Sequence, residues 1–168
     1  MAGAFSLARR PELWMAVVIV AADQASKALV RARVGLHDNI EVVPGFLNIT
    51  HVLNTGAAFG LLNAVEFPFK SLVVALLAVG ALVAIGFYAA TFGSETRLAR
   101  LSLALILAGA CGNLIDRAVS GAVVDFVDVY FGTWHFWTFN VADSAITVGA
   151  ILLVLDMFRT GKHVPSPA

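Results

Sequence analysis

The feature that most constrains this 168-residue chain is an apolar run from Ser71 to Phe92 that contains no charged residue. A helix of about 20 apolar residues is long enough to cross the roughly 30 Å hydrocarbon layer of a bilayer. The composition agrees, because 60% of the residues are hydrophobic and 13% are charged, against about 25% charged residues in a soluble domain. We therefore predict an all-α polytopic membrane protein that forms a single domain over residues 1–168.

Three further apolar segments are predicted to span the membrane, although each carries polar residues toward one end. The four predicted spans are residues 13–30, 71–92, 98–117 and 141–158, with loops at 31–70 and 118–139. The first segment has a second interpretation, since Arg9, Arg10 and the apolar run from Leu13 resemble a secretory signal peptide. The apolar pattern continues to Val30, which favours an uncleaved helix.

Four spans place both termini on one side of the membrane and both predicted loops on the other. The terminal side carries six Lys and Arg residues and the loop side five, so the positive-inside rule leans toward cytoplasmic termini. In the first loop, Pro44 followed by Gly45 predicts a type II turn and a small extramembrane β hairpin or sheet. The aromatic residues between Tyr130 and Trp137 predict a surface loop at the level of the lipid headgroups.

Several polar residues interrupt the predicted spans, where charged groups are unfavourable and often functional. Asp23 and Lys27 are four residues apart on the first helix, a spacing at which an acid and a base neutralise each other. This pair either steadies the packing or belongs to a site. Asn113 and Arg117 share a face of the third helix, while Asp116 points partly away. Arg117 either orients a carboxylate or carbonyl group or caps the last carbonyls of its helix.

The start of the fourth helix holds a second polar group. Asn140 and Asp143 have the spacing of a capping box, so Asp143 has a purely structural interpretation. Asp125, however, lies among large apolar residues on the same side of the membrane. If residues 123–128 are extended, Asp125 and Asp128 face opposite ways, and only one of them can meet Asp143. If the segment is helical, the two share a face, and the sequence does not decide between these forms.

These residue types point to hydrolysis by a pair of carboxyl groups. Two aspartates about 3 Å apart share one proton, so that one activates water while the other polarises the carbonyl of the substrate. The dipole of the fourth helix favours Asp143 as the charged member, and its apolar surroundings favour a protonated Asp125. A serine mechanism lacks a suitably spaced base, since Ser26 and Lys27 diverge on a helix.

Metal and nucleic-acid chemistry are not expected. The four histidines are isolated and the single cysteine, Cys111, cannot form an internal disulfide, so neither a metal site nor a cofactor is predicted. The zero formal net charge argues against a nucleic-acid partner. Cys111 lies in a run of small residues that favours close packing of the third helix.

Five motifs in order resemble those of bacterial lipoprotein signal peptidase, also called signal peptidase II. Together they extend over nearly the whole chain. The motifs are Asp23-Gln24-Ala25-Ser26-Lys27, Asn54-Thr55-Gly56-Ala57-Ala58-Phe59, Gly112-Asn113-Leu114-Ile115-Asp116-Arg117, Val124-Asp125-Phe126-Val127-Asp128 and Phe139-Asn140-Val141-Ala142-Asp143-Ser144.

The resemblance implies a four-helix aspartyl protease of the bacterial inner membrane, with Asp125 and Asp143 as the catalytic pair near the periplasmic leaflet. Its expected substrates are diacylglyceryl prolipoproteins, cut just before the lipidated cysteine, and its expected inhibitor is globomycin. The residues expected around the pair are Asn54, Gly56, Asn113, Arg117 and Asn140. Those expected to support the fold are Asp23, Lys27, Asp116 and Asp128. We expect a monomer surrounded by membrane lipids.

Two other classes of protein remain open at this stage. A small transporter or channel subunit would use Asp23, Lys27 and Arg117 to line a polar path. A scaffold without enzymatic activity would use the same residues for packing. Cleavage of a prolipoprotein distinguishes the protease from both.

Overall fold

The computed structural model describes residues 11–56, 69–92 and 96–160. Arg9, Arg10, His163 and the predicted motif residues 57–59 lie outside these ranges. Helices occupy all four apolar segments, and strands occupy parts of both predicted loops. The elements are α1 Pro11–Arg33, β1 Asn39–Val43, β2 Leu47–Asn54, α2 Lys70–Phe92, α3 Arg97–Ser120, β3 Val123–Phe131, β4 Trp134–His135 and α4 Val141–Thr160.

The four strands form one antiparallel sheet in the order β1, β2, β3, β4. The predicted turn joins β1 to β2, where Gly45 has a φ of 74° and the N–H of Phe46 donates to the carbonyl of Val43. The sheet extends beyond the predicted turn region. Most of β3 arises from residues 123–128, for which an extended form was one of two alternatives, and β4 arises from the aromatic segment expected to form a surface loop. Long-range pairing of β2 with β3 is what makes residues 123–128 a strand.

The third helix is longer than the predicted span. It continues past Arg117 to Ser120 and ends at Gly121, whose φ of 75° is left-handed and whose N–H donates to the carbonyl of Arg117. A glycine in this conformation is a common helix stop. The chain then enters β3 directly, so the end of α3 determines where the strand begins.

The sheet lies over the ends of α1 and α3 and is held there by a small apolar core. Val30 of α1 and Val34, the residue after this helix, pack with Val124 and Phe126 of β3 in this core. After β4 the chain returns along β3, where Phe139 forms a bridge with Val127. This bridge places the first residues of α4 beside the middle of β3.

Close packing of α3 against α4 depends on small residues, as the run around Cys111 predicted. A Cβ atom on Gly109 would overlap the carbonyl of Ala142 on α4. Cys111 itself is exposed, so its own side chain does not contribute to that contact. Glycines at such positions allow helix backbones to approach closely inside a bilayer.

The helices are arranged with apolar residues outside and ionisable residues inside. Exposed apolar side chains on the outer faces include Leu13, Val17, Leu72, Leu76, Val83, Phe87, Ile151 and Phe158. Asp23, Lys27 and Asp116, by contrast, are at most 1% exposed. This distribution is the one expected when the surrounding solvent is lipid.

Among the described residues, α1, α3 and α4 are long and apolar enough to cross a membrane. Within α2, a helix of 23 residues, the described part contains a shorter apolar segment, Leu72–Ala81. The structure therefore shows a membrane fold with helices and a small antiparallel sheet, and it does not confirm the predicted count of four spans.

Candidate active site

The two candidate catalytic aspartates line one cavity of about 290 Å³. Asp125 comes from β3 and Asp143 from the first turn of α4. The other walls are formed by α2, α3 and the segment between β4 and α4. The residues at the cavity wall include Asn54, Val74, Leu77, Asn113, Arg117, Phe136, Trp137, Ile146 and Thr147. Mostly apolar walls with a few convergent polar groups are typical of a binding site.

Asn140 connects the two aspartates. Its Nδ2 donates to Asp125 Oδ1 over 2.7 Å, and its Oδ1 accepts from the backbone N–H of Asp143 over 2.9 Å. Asp143 Oδ2 in turn accepts from the backbone N–H of Asn140, at 3.2 Å. The predicted capping box is therefore present, and the same asparagine also holds Asp125. Asp143 combines the structural role of a cap with a place at the cavity wall.

Two more asparagines donate to the pair from other elements. Asn54, the last residue of β2, donates to Asp125 Oδ2 over 2.9 Å. Asn113 of α3 donates to Asp143 Oδ1 over 2.8 Å. Each carboxyl oxygen of the pair thus accepts a hydrogen bond, and three side-chain amides supply three of the four donors.

The orientation of these amides is fixed from behind. Asn54 Oδ1 accepts from the backbone N–H of Gly56, and Asn140 Oδ1 accepts from that of Asp143. Since an amide oxygen accepts while its nitrogen donates, each nitrogen must face an aspartate. Gly56 therefore acts through its backbone rather than through a group that points into the cavity.

Asp125 is less exposed to solvent than Asp143. Asp125 is only 3% exposed, whereas Asp143 is half-buried. Burial, together with the negative charge of Asp143, raises the pKa of Asp125 to about 6, and the hydrogen bonds from Asn54 and Asn140 offset part of that rise. Compared with an exposed aspartate, Asp125 therefore keeps a proton up to a higher pH, of about 6.

Arg117 is bonded to backbone carbonyls. Its Nη2 donates to the carbonyl of Gly56 over 2.8 Å and its Nη1 to that of Asn113 over 3.3 Å. It therefore ties the segment after β2 to α3 at the cavity wall. Among the described contacts, Arg117 makes no hydrogen bond to either aspartate. Its predicted role toward a carboxylate is therefore limited to the effect of its positive charge near the pair.

The predicted pair of Asp23 and Lys27 is present at 2.9 Å, and it belongs to a larger group. Lys27 Nζ also lies 2.9 Å from Asp116 Oδ2, while Arg31 Nη2 lies 2.9 Å from Asp116 Oδ1. We call Asp23, Lys27, Arg31 and Asp116 the lysine cluster. It adjoins the cavity because Lys27 Nζ donates to Asn113 Oδ1 over 3.0 Å.

Asp23 additionally fixes the start of α4. Its Oδ1 accepts from the backbone N–H of Ala142 over 3.0 Å, and Gln24 donates to its Oδ2 over 3.0 Å. Sequence reasoning missed Gln24 and Arg31. Arg31 follows Lys27 at the same four-residue spacing that separates Lys27 from Asp23. This repeated spacing places Arg31 on the same face of α1 and was the signal that could have identified it.

Asp128 faces away from the pair, as alternation along an extended strand requires. Its carboxylate accepts from Asn48 of β2 over 3.1 Å and lies 2.9 Å from His135 Nδ1. Neither partner lines the cavity, and neither was identified from the sequence. Asp128 therefore joins β2, β3 and β4 within the sheet.

Phe136 and Trp137 bring the predicted aromatic loop to the cavity. The strands β3 and β4 pair through residues 130–135. Rings in this region contact one another, with 6.3 Å between the centroids of Phe131 and Trp134 and 5.7 Å between those of Phe136 and Trp137. Trp137 remains 59% exposed. One edge of the cavity is thus built from exposed aromatic side chains.

The fold and cavity define a membrane enzyme, and comparison with solved structures gives the same class. The chain is similar to a bacterial membrane enzyme determined by the in meso method at 2.3 Å resolution, with a TM-score of 0.82 and 30% identity over 100% of this chain and 99% of the other. A second bacterial membrane enzyme, determined by the same method at 1.9 Å, gives a TM-score of 0.75 and 31% identity over 88% and 92% of the two chains.

The chain belongs to the signal peptidase II family, whose model, described as Signal peptidase (SPase) II, matches residues 15–159. It is 44% identical to the lipoprotein signal peptidase of Pseudomonas syringae pv. tomato over 94% of this chain and 91% of that one. It is also 44% identical to that of Solibacter usitatus, over 89% and 91% of the two chains. Membership confirms the predicted family and makes the chain a peptidase.

Proposed function

We propose that the chain is an intramembrane aspartic endopeptidase that removes the signal peptide from diacylglyceryl-modified prolipoproteins. The cut falls just before the lipidated cysteine, and no cofactor takes part. The observation that carries the proposal is the bridge made by Asn140, which links Asp125 and Asp143 at the wall of one cavity. The names of the similar lipoprotein signal peptidases support the substrate class.

Asp143 is the ionised member of the pair in this mechanism. It lies in the first turn of α4, where the helix dipole favours a negative charge, and it accepts hydrogen bonds from Asn113 and the backbone of Asn140. Asp125 is the protonated member, in keeping with its burial and raised pKa. One carboxylate and one carboxylic acid are the two states that general base and general acid catalysis require.

In the first step, Asp143 takes a proton from water as the water oxygen bonds to the carbonyl carbon of the scissile peptide. Asp125 gives its proton to the carbonyl oxygen, which yields a neutral tetrahedral intermediate. In the second step, the carbon–nitrogen bond breaks while the nitrogen receives the proton from Asp143. Asp125 recovers a proton from a hydroxyl of the intermediate, and the starting state of the pair returns.

The surrounding residues keep this geometry in place. Asn54, Asn113 and Asn140 aim their donors at the carboxyl oxygens, and Gly56 and Arg117 hold the segment that carries Asn54. Preorganised donors of this kind contribute because they need no reorganisation during the reaction. Asp23, Lys27 and Asp116 support the helices, and Asp128 supports the sheet.

We further propose that α2 is the fourth span, so that both termini are cytoplasmic and the sheet lies at the periplasmic face of the inner membrane. Val74 and Leu77 of α2 line the cavity, which gives α2 a place beside the substrate. A signal peptide helix in the bilayer and a lipid in its outer leaflet would then present the scissile bond at the height of the aspartates. The enzyme acts as a monomer, and inhibitors of the globomycin type occupy the same cavity.

Cleavage by purified protein tests the proposal. The full chain in mild detergent is incubated with diacylglyceryl prolipoprotein, and loss of the signal peptide is followed by gel shift. Asp125→Asn and Asp143→Asn should each lower the rate by at least about 10³-fold while substrate binding persists. Asp128→Asn, a matched change on the opposite face of β3, should stay within about threefold of the parent. Turnover retained by Asp125→Asn or by Asp143→Asn would reject the mechanism.

A further inference from the structure

Lys27 makes one hydrogen bond that charge balance does not explain. Its ammonium group is 0% exposed and has three N–H donors, which meet Asp23 Oδ2, Asp116 Oδ2 and Asn113 Oδ1 at 2.9, 2.9 and 3.0 Å. Within the lysine cluster the two carboxylates are already matched by the charges of Lys27 and Arg31. The third donor is directed at a neutral amide that in turn contacts Asp143.

Asn113 differs from the other two asparagines of the cavity in what orients it. Asn54 and Asn140 each accept from a backbone N–H, whereas the described partners of Asn113 Oδ1 are Lys27 Nζ and Asn140 Nδ2. The bond from Asn140 is longer, at 3.2 Å, and the same nitrogen lies only 2.7 Å from Asp125. Lys27 therefore orients the side-chain amide of Asn113, as backbone N–H groups orient those of Asn54 and Asn140.

A charged donor behind an amide also strengthens the bond in front of it. Lysine donates and cannot accept, so Asn113 must present its Nδ2 to the cavity side. Hydrogen bonds in a chain polarise one another in surroundings of low dielectric constant. The ammonium group makes the Nδ2 of Asn113 a better donor to Asp143 Oδ1, which it meets at 2.8 Å.

We propose that Lys27 is a positioning residue for the reaction, which acts through Asn113 on the carboxylate of Asp143. This inference rests on the proposed function, because it assigns Asp143 to the step in which water is activated. Lys27 touches neither aspartate of the pair, so its effect is on turnover rather than on substrate binding. Lys27 thus belongs to the active site as well as to the helix packing, whereas Arg31 contributes only to the packing.

A double-mutant cycle in kcat tests this role. With diacylglyceryl prolipoprotein as substrate, Lys27→Met should lower kcat by about 10- to 100-fold, as expected for a lost hydrogen bond from a charged group. KM should change by less than about twofold. In an Asn113→Ala background, the same substitution should lower kcat by less than about twofold, because its path to Asp143 is already cut.

Arg31→Met is the matched control, since Arg31 belongs to the lysine cluster and contacts Asp116 without reaching Asn113. Its kcat should stay within about threefold of the parent. If Lys27→Met does not fold, the double variant Lys27→Met with Asp116→Asn takes its place in the cycle, because this double variant keeps the lysine cluster neutral. Its kcat is then compared with that of Asp116→Asn alone. Multiplicative losses in the cycle, or an equal loss for Arg31→Met, would overturn the inference. Activity retained by Asp125→Asn and Asp143→Asn would instead overturn the proposed function.

Discussion

The lysine cluster and the aspartate pair place the same type of residue in two different settings. In the cluster, Asp23 and Asp116 are buried and each lies 2.9 Å from a cation. In the pair, Asp125 is buried to a similar degree, but the described contacts of Asp125 and Asp143 are hydrogen bonds from asparagines and the backbone. Carboxylates matched by cations are held in one charge state, whereas carboxyl groups matched by neutral donors can exchange a proton.

The largest effect should come from breaking the charge balance of the lysine cluster. Asp116→Ala leaves Lys27 and Arg31 without their shared carboxylate, and breaking a buried ion pair costs about 3–5 kcal/mol of stability. Thermal unfolding in detergent, followed by tryptophan fluorescence, measures the loss. Asp38→Asn, at an exposed position of the same charge, should change stability by less than about 0.5 kcal/mol. Equal changes in the two variants would show that the contacts of Asp116 with Lys27 and Arg31 do not stabilise the fold.

At the aspartate pair, removing a neutral donor should affect turnover more than stability. Asn140→Ala deletes the donor to Asp125 and the cap of α4 together. We expect kcat to fall by about 10²- to 10³-fold and stability by about 1 kcal/mol. Asn48→Ala, which removes the corresponding donor to Asp128, should keep kcat within about threefold. A loss of stability with unchanged kcat would show that Asn140 acts only as the cap of α4.

The raised pKa of Asp125 predicts how stability depends on pH. An acid whose pKa is higher in the folded state than in the unfolded state binds more protons when folded, so its contribution to stability falls as pH rises. The window runs from the ordinary value of 3.8 to about 6. Asp125→Asn should therefore gain on the order of 2–3 kcal/mol relative to the parent between pH 4 and pH 7.

The same melting experiment, repeated at each pH, checks this slope. Asp128→Asn provides the reference, since Asp128 is bonded to Asn48 and His135 on the other face of the strand. A difference between Asp125→Asn and the parent that stays constant with pH would show that Asp125 has no raised pKa.

The smallest effect is expected at the aromatic edge of the cavity. Trp137→Ala should raise KM by about three- to tenfold and leave kcat nearly unchanged, because an exposed aromatic side chain at the edge of the cavity would help to cover bound substrate. Phe131→Ala, which shortens an aromatic side chain of the same hairpin away from the cavity wall, is the control. A large fall in kcat for Trp137→Ala would instead assign this residue to the reaction itself.

Local patterns correctly predicted two contacts beside the cavity. The ion pair of Asp23 and Lys27 and the capping box of Asn140 and Asp143 depend on residues close in sequence. The pattern left an extended and a helical form open for residues 123–128, and the structure shows the extended form, in which Asp125 and Asp128 face opposite ways. Fixed helical and strand spacings are enough to place such neighbours relative to one another.

Contacts between distant segments were beyond the reach of these patterns. The donor from Asn54 to Asp125 depends on how β2 pairs with β3, and the bond between Arg31 and Asp116 depends on how α1 packs on α3. A small hairpin or sheet was predicted, but its four strands were not, for the same reason. Residues 123–128 were open to an extended or a helical form, and residues 130–137 were expected to form a surface loop. The spacing of residues within one helix or strand does not indicate how that element aligns with the elements packed against it.

The protonation state of the pair is the most direct test of the mechanism. Infrared difference spectra of protein labelled with ¹³C-aspartate, recorded between pH 4 and pH 8, detect neutral carboxyl groups. We predict a neutral carboxyl band that disappears with a midpoint near pH 6 and is absent from Asp125→Asn, while Asp128→Asn retains it. A band that persists in Asp125→Asn, or no neutral carboxyl group at pH 5, would contradict a shared proton at this site.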